Sequence, residues 1–340
     1  MEEVKQIKAY ACFSRDDETR LSSSSGAIFS LLASYVLSNF GVVYGVVMSR
    51  DCYSAEYIAI TDPKEIYRLR GSKYLQAKMG DTYRNVKKDL DAGRMVLFTG
   101  TGCQVNGLKN FLNAINANQE KLICVDVICH GVASPELWKK YAEYQEEQQK
   151  GKLMTINFRC KDEGWEDYGM KELIEHAPTN ELKKIYIPRD KDPYMQMFLR
   201  NYCLRPSCYE CSAKSVKLSD ITIGDFWDIS KIAPAMNDSK GTSLVLLRSK
   251  KGTNAFNRIC DKLKLREVTY EDGVKYNSAE YKSVERPARR DTFFIDMANI
   301  GFKELAKKYI VPTGVSVKSR LKRKIKSLVI QLVRIGGKRQ

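Results

Sequence analysis

Arg94-Met95-Val96-Leu97-Phe98-Thr99-Gly100-Thr101-Gly102-Cys103-Gln104 reads as a buried strand that runs straight into a glycine-punctuated turn. A helix follows over residues 105–112. Further on, Leu122-Ile123-Cys124-Val125-Asp126-Val127-Ile128 forms a second apolar strand, which delivers Cys129-His130-Gly131 to a loop. Ser134-Pro135-Glu136 then caps a helix that continues to residue 149. Strand, loop and helix in repetition are the grammar of a parallel sheet covered by helices.

The same grammar extends upstream. Gly41 to Met48 is a continuous β-branched run suited to a buried strand, and residues 27–37 read as a helix started by a serine N-cap. Asp62-Pro63 begins another helix, and residues 81–92 a further one. Downstream of Gly151 the pattern shortens and alternates, as in Met154-Thr155-Ile156-Asn157-Phe158, which predicts antiparallel strands in a smaller layer. A helix over residues 193–199 leads into a cysteine-dense loop from Cys203 to Cys211. Strands are expected over residues 219–227 and 243–248, with a helix over 253–263. The expected fold is α/β, a mainly parallel sheet with covering helices, plus a smaller α+β cysteine-containing region and a basic C-terminal helix. Its divisions fall at residues 1–150, 151–300 and 301–340.

With 340 residues, 43% hydrophobic and 29% charged, the chain has the composition of a globular protein and not of a disordered one, a collagen or a small disulfide scaffold. It has no run of about 18 apolar residues that would span a bilayer. Met1-Glu2-Glu3 does not open a secretory signal, so a cytoplasmic location is expected. Net charge is +16, but residues 314–340 carry nine Lys or Arg and no acid, which leaves +7 for the rest. That distribution argues against a nucleic-acid-binding globule. Within the tail, Val317, Leu321, Ile325, Leu328, Leu332 and Ile335 recur at helical spacing beside Lys318, Arg320, Lys322, Arg323, Lys324 and Lys326. The pattern fits peripheral contact with the inner membrane face. It fits equally a terminal helix packed on its own domain or on a partner.

Ten cysteines in a reducing compartment point to metal ligation for some and plain burial for others. With only two histidines, His130 and His176, iron–sulfur or zinc chemistry is favoured over non-haem iron or copper. Cys208-Tyr209-Glu210-Cys211 lets two thiolates face one centre, although a redox dithiol or chance gives the same spacing. Cys103 and Cys129 each end a parallel strand, the sheet edge where ligands collect, and Gly100, Gly102 and Gly131 permit close backbone approach there. Four thiolates from three segments suit a 4Fe-4S cluster better than a structural zinc. Cys12, Cys52, Cys124 and Cys260 read as core, while Cys160 and Cys203 are ambiguous. Ser23-Ser24-Ser25-Gly26 is an anion site or a simple cap, and Gly71-Ser72-Lys73-Tyr74 either offers a cation and a hydroxyl to a ligand or is a surface turn. His130 is either a ring near the cluster or an ordinary loop histidine.

Seven ordered motifs carry a family resemblance: Ser24 to Phe29, Gly71 to Tyr74, Phe98 to Gln104, Ile128 to Pro135, Phe158 to Trp165, Leu204 to Cys211 and Ser219 to Trp227. Together they resemble the coenzyme F420 hydrogenase/dehydrogenase beta-subunit family over about residues 8–300. The resemblance implies an iron–sulfur flavoprotein, an oxidoreductase or electron-transfer subunit that couples a 4Fe-4S cluster and FAD to a soluble carrier or substrate. By position, Cys103, Cys129, Cys208 and Cys211 match the family's cluster cysteines. The loop of Ser24, Ser25 and Gly26 and the segment of Ser72 and Lys73 match its flavin-contacting regions, and Gly100 and Thr101 join the expected cofactor set.

Three departures from the family pattern are visible. Many bacterial members begin with a ferredoxin-like segment, absent here, so electrons are expected from a separate ferredoxin or redox partner subunit. The usual Gly-Thr-Pro-Cys is Gly100-Thr101-Gly102-Cys103, and the usual double glycine of the serine loop is Gly26-Ala27. A second class of function stays open, an accessory or binding protein of the same fold with reduced chemistry.

Overall fold

The computed structural model describes residues 7–177 and 179–310. Its strands are β1 (Lys8–Ser14), β2 (Val42–Met48), β3 (Ala55–Ile60), β4 (Ala77–Lys78), β5 (Val96–Thr101), β6 (Leu122–Val127), β7 (Gly151–Cys160), β8 (Gly169–His176), β9 (Glu181–Pro188), β10 (Ile221–Asp225), β11 (Ser243–Leu247) and β12 (Leu263–Val268). Among the described residues nine of them form one sheet in the order β12-β1-β11-β10-β6-β5-β2-β3-β4, and β7-β8-β9 form a second.

The centre of the large sheet is parallel, as the βαβ pattern requires. β5 pairs with β6 in the register Phe98↔Cys124 and Thr101↔Val127, and β2 and β10 join on either side, also parallel. Antiparallel pairs flank this centre. β1 and β10 are both antiparallel to β11, so β1 points the same way as the central strands. The carboxyl ends of β1, β10, β6, β5 and β2 therefore share one rim.

Both faces of the sheet are buried, which is why its central strands read as continuous apolar runs. Val43, Leu97 and Ile123 pack with the helices Ile28–Ser38 and Lys250–Asn257. Their alternates Val42, Tyr44, Val96, Phe98, Leu122 and Cys124 meet the helices Thr82–Asp91 and Gly102–Ala114. A third core lies between the small antiparallel sheet and the helices Pro135–Gln149, Pro193–Leu199, Arg290–Asn299 and Phe302–Tyr309. Phe302, Leu305 and Tyr309 are buried in it, whereas residues 311–340, which hold the basic amphipathic stripe, lie outside the described residues. No helix among the described residues is long and apolar enough to cross a membrane.

Two local expectations are corrected. The helix Ile28–Ser38 has no serine cap: its N-cap is Ala27, left-handed at φ 70°, with no side-chain hydrogen bond. The helix expected over residues 253–263 is Lys250–Asn257, capped by the Ser249 hydroxyl, and the chain then becomes β12 at Leu263.

Candidate functional site

The turn after β5 is held by hydrogen bonds local to it. Thr101 N–H donates to Gln104 Oε1 at 2.9 Å, and the Tyr57 hydroxyl donates to the same oxygen at 2.9 Å. A Cβ on Gly100 would stand 2.2 Å from the Tyr57 oxygen, so any larger residue there would have to displace the Tyr57 hydroxyl from the turn. Gly102 opens the next helix, close enough that a Cβ would lie 3.1 Å from Ala213 Cβ and 3.1 Å from Asp126 Oδ2. This packing seats Cys103, at the helix start, against the loop that follows Cys211. Thr101 Oγ1 is 3.2 Å from the Cys103 sulfur.

The turn after β6 is stitched to the CxxC loop. Ser134 N–H donates to the Cys203 carbonyl at 2.9 Å, Arg205 N–H to the Val132 carbonyl at 3.0 Å, and Ala133 bridges to Leu204. Leu204 crowds Gly131, where a Cβ would be 2.8 Å from Leu204 Cδ1. Cys211 N–H donates to Ser283 Oγ at 2.9 Å. Lys214 Nζ donates to the Cys129 carbonyl at 2.5 Å and also to the Ala279 carbonyl.

Cys103, Cys129, Cys208 and Cys211 consequently line one cavity of about 450 Å³, together with Thr101, Asp126, His130, Arg205, Lys214 and Lys217. Cys103 is exposed and the other three are half-buried. Burial pushes the Cys129 thiol up to about 12; Lys214 opposes that shift, and Cys103, Cys208 and Cys211 add to it. Burial also raises Cys208. Among the described residues no three Cys, His, Asp or Glu are grouped closely enough to hold a single metal ion. A tetrahedral zinc with Zn–S of about 2.3 Å would need its sulfurs about 3.8 Å apart. His130 faces the same cavity, with its ring 5.2 Å from that of Phe198 and its buried Nε2 without a hydrogen-bond partner. Burial lowers its pKa.

The other expected cofactor residues divide into two groups. Thr101 lines the thiol cavity, whereas Gly100, the residue before it in β5, is not among the lining residues. The serine loop lies against β1 and β11, with its hydroxyls and the Gly26 N–H engaged. Ser24 Oγ accepts from Ser72 N–H at 2.9 Å, Ser25 Oγ donates to the Thr242 carbonyl at 2.8 Å, and Gly26 N–H donates to Ser243 Oγ at 2.9 Å. Lys73 Nζ donates to the Arg70 carbonyl at 2.8 Å and to that of Leu69 at 3.2 Å; burial pushes its ammonium down to about 7. Of the remaining thiols, Cys12, Cys52, Cys124, Cys160 and Cys203 are buried and Cys260 is partly so.

A polar cluster that the sequence reading did not single out joins four of the quoted motifs. Arg159, 4% exposed, pairs with Asp225 at 2.8 Å and donates to the Tyr74 hydroxyl at 3.2 Å. Asp225 also accepts from Trp165 Nε1 at 2.9 Å, and Trp165 stacks on Trp227. Lys161 donates to the carbonyls of Ser25, Arg20 and Lys240 at 2.9–3.0 Å, pinning the serine loop from below. Arg159 and Lys161 lie in the Phe158–Trp165 motif and Asp225 in the Ser219–Trp227 motif, so their motif positions were the available signal. Lys214 had none beyond its nearness to the CxxC.

Comparison with known families decides the identity at this level. Residues 9–82 match the model for the N-terminal part of the coenzyme F420 hydrogenase/dehydrogenase beta subunit, and residues 93–272 match the model for its C-terminal part. The chain belongs to this beta-subunit family. As a family member it also resembles a solved chain of the xenon-derivatised F420-reducing [NiFe] hydrogenase complex from Methanosarcina barkeri. The TM-score is 0.52 at 15% identity, covering 81% of this chain and 88% of that one, a likeness of fold. No curated protein matches. The beta-subunit fold thus brings the four cysteines expected to act together onto one cavity.

Proposed function

We propose that this beta-subunit family member is an iron–sulfur electron-transfer subunit of an oxidoreductase, with Cys103, Cys129, Cys208 and Cys211 as the ligands of a 4Fe-4S cluster. The observation that carries the reading is the convergence of four thiols from three chain segments on one cavity. Four thiols drawn from three segments, and not from two compact CxxC-like pairs, favour a cluster over a structural zinc. Bound there, a cluster would supply one-electron transfer. The chain's own residues give it a fixed frame. The Thr101–Gln104 turn and the Ala133–Leu204 bridge hold the ligand loops, and exposed Cys103 leaves one corner of the cavity open to a redox partner.

The fit to FAD is weaker. The serine-loop hydroxyls and Lys73 are satisfied within the protein. That engagement favours a second reading for the flavin alone, a member that keeps the cluster with reduced hydride chemistry. Anaerobic purification with iron, sulfide and flavin analysis tests both. The expected result is about four irons per chain with absorbance that dithionite bleaches, and Cys208→Ala should lose both iron and colour. Iron unchanged in that variant would overturn the ligand set, and stoichiometric FAD would overturn the flavin-poor reading.

A further inference from the structure

The wall of the thiol cavity is uneven in charge. Lys78, Arg205, Lys214 and Lys217 are its cations, Asp126 and Glu210 its carboxyls. Burial raises the pKa of Asp126, which favours its neutral acid. Lys217 is already paired with Glu280 at 3.1 Å. Lys214 is different: its ammonium is half-buried, and its hydrogen bonds go to two uncharged carbonyls, those of Cys129 and Ala279. Among the described residues no carboxylate lies within ion-pair reach of it. A partly desolvated cation without a counter-ion is costly. The groups in the cavity that would turn negative on binding a metal are the cysteine sulfurs, and Cys129 is the one whose charge Lys214 stabilises.

We propose that Lys214 is the counter-charge of the metal–thiolate group held by the four cysteines and sets its reduction potential, an inference that rests on the iron–sulfur reading above. A cluster bound by four thiolates gains one negative charge on reduction, and its potential follows net charge and hydrogen bonding around the sulfurs. A fixed cation stabilises the reduced form more than the oxidised form, so Lys214 raises the potential.

The test is a potentiometric titration, read by EPR, of the reconstituted full chain as wild type, Lys214→Arg, Lys214→Gln and Lys214→Met. The arginine variant should keep the wild-type equilibrium constant for one-electron reduction within about twofold. Both neutral variants should lower it at least tenfold, a shift of about 59 mV to more negative potential. Glutamine retains a donor for the Cys129 carbonyl, so it decides the matter if the methionine variant does not fold. Iron retained by Lys214→Arg and lost from both neutral variants also supports the counter-charge. Unchanged potentials at full iron content overturn it and leave Lys214 as a staple between Cys129 and Ala279. A wild-type chain that takes up no iron overturns the iron–sulfur reading itself.

Discussion

At Gly26 the space for a side chain is already taken by backbone. A Cβ there would lie 2.4 Å from the Cys12 carbonyl oxygen and 3.0 Å from Phe13 Cα and Ser243 N. None of these atoms can swing aside, so Gly26→Ala should cost more than about 2 kcal/mol in urea unfolding. Gly71 makes the useful contrast, with φ +83° and nothing within 4 Å of the added carbon. Gly71→Ala should cost about 1 kcal/mol, the left-handed penalty alone. Equal losses in the two variants would show that the loop yields. At this scale the four cysteines were legible in the sequence, because a strand end and a CxxC are local signals. The engagement of the serine loop was not, since its partners Ser72, Thr242 and Ser243 are remote in the chain.

Between elements, a buried polar joint ties β8 to the helices Pro135–Gln149 and Pro193–Leu199. The Tyr141 hydroxyl lies 2.6 Å from Glu172 Oε1 and 2.7 Å from Asp192 Oδ2, all buried, and Gln145 Nε2 reaches both Glu172 oxygens. One hydroxyl hydrogen cannot serve two carboxylates, so one acid keeps its proton. Burial, reinforced by Glu172, pushes Asp192 up to about 7. An unfolded aspartate titrates near about 3.9. The folded state thus holds a proton that the unfolded state has lost, and stability should fall as pH rises from about 4 to about 7, then level off. The slope is up to about 1.4 kcal/mol per pH unit. Asp192→Asn should flatten it in a pH series of urea midpoints; a slope that persists would assign the proton elsewhere. The long apolar strands and capped helices were readable from their periodicity. β1 and β3 were not, because Lys8-Ala9-Tyr10-Ala11-Cys12-Phe13-Ser14 and Ala55-Glu56-Tyr57-Ile58-Ala59-Ile60 lack the β-branched density that marked β2, and pairing across the sheet overrides that weak local preference.

For the whole molecule, the cavity joins three loops widely separated in sequence, so whatever binds all four thiols also cross-links the fold. Reconstitution with iron and sulfide should raise the thermal midpoint of the wild type by several degrees by binding the native state alone. Cys208→Ala should gain little, and an equal gain in both proteins would mean that iron binds elsewhere. The matches at residues 9–82 and 93–272 do not correspond to two separable bodies, because β1 from the first lies between β11 and β12. That insertion has a consequence in time. β1 emerges from the ribosome well before its partners, which come only with residues 243–268. At about 5–20 residues per second it waits on the order of 10–50 s with both edges unpaired. Lys8, the exposed charge that opens the strand, is the kind of side chain that opposes edge-to-edge pairing during that wait.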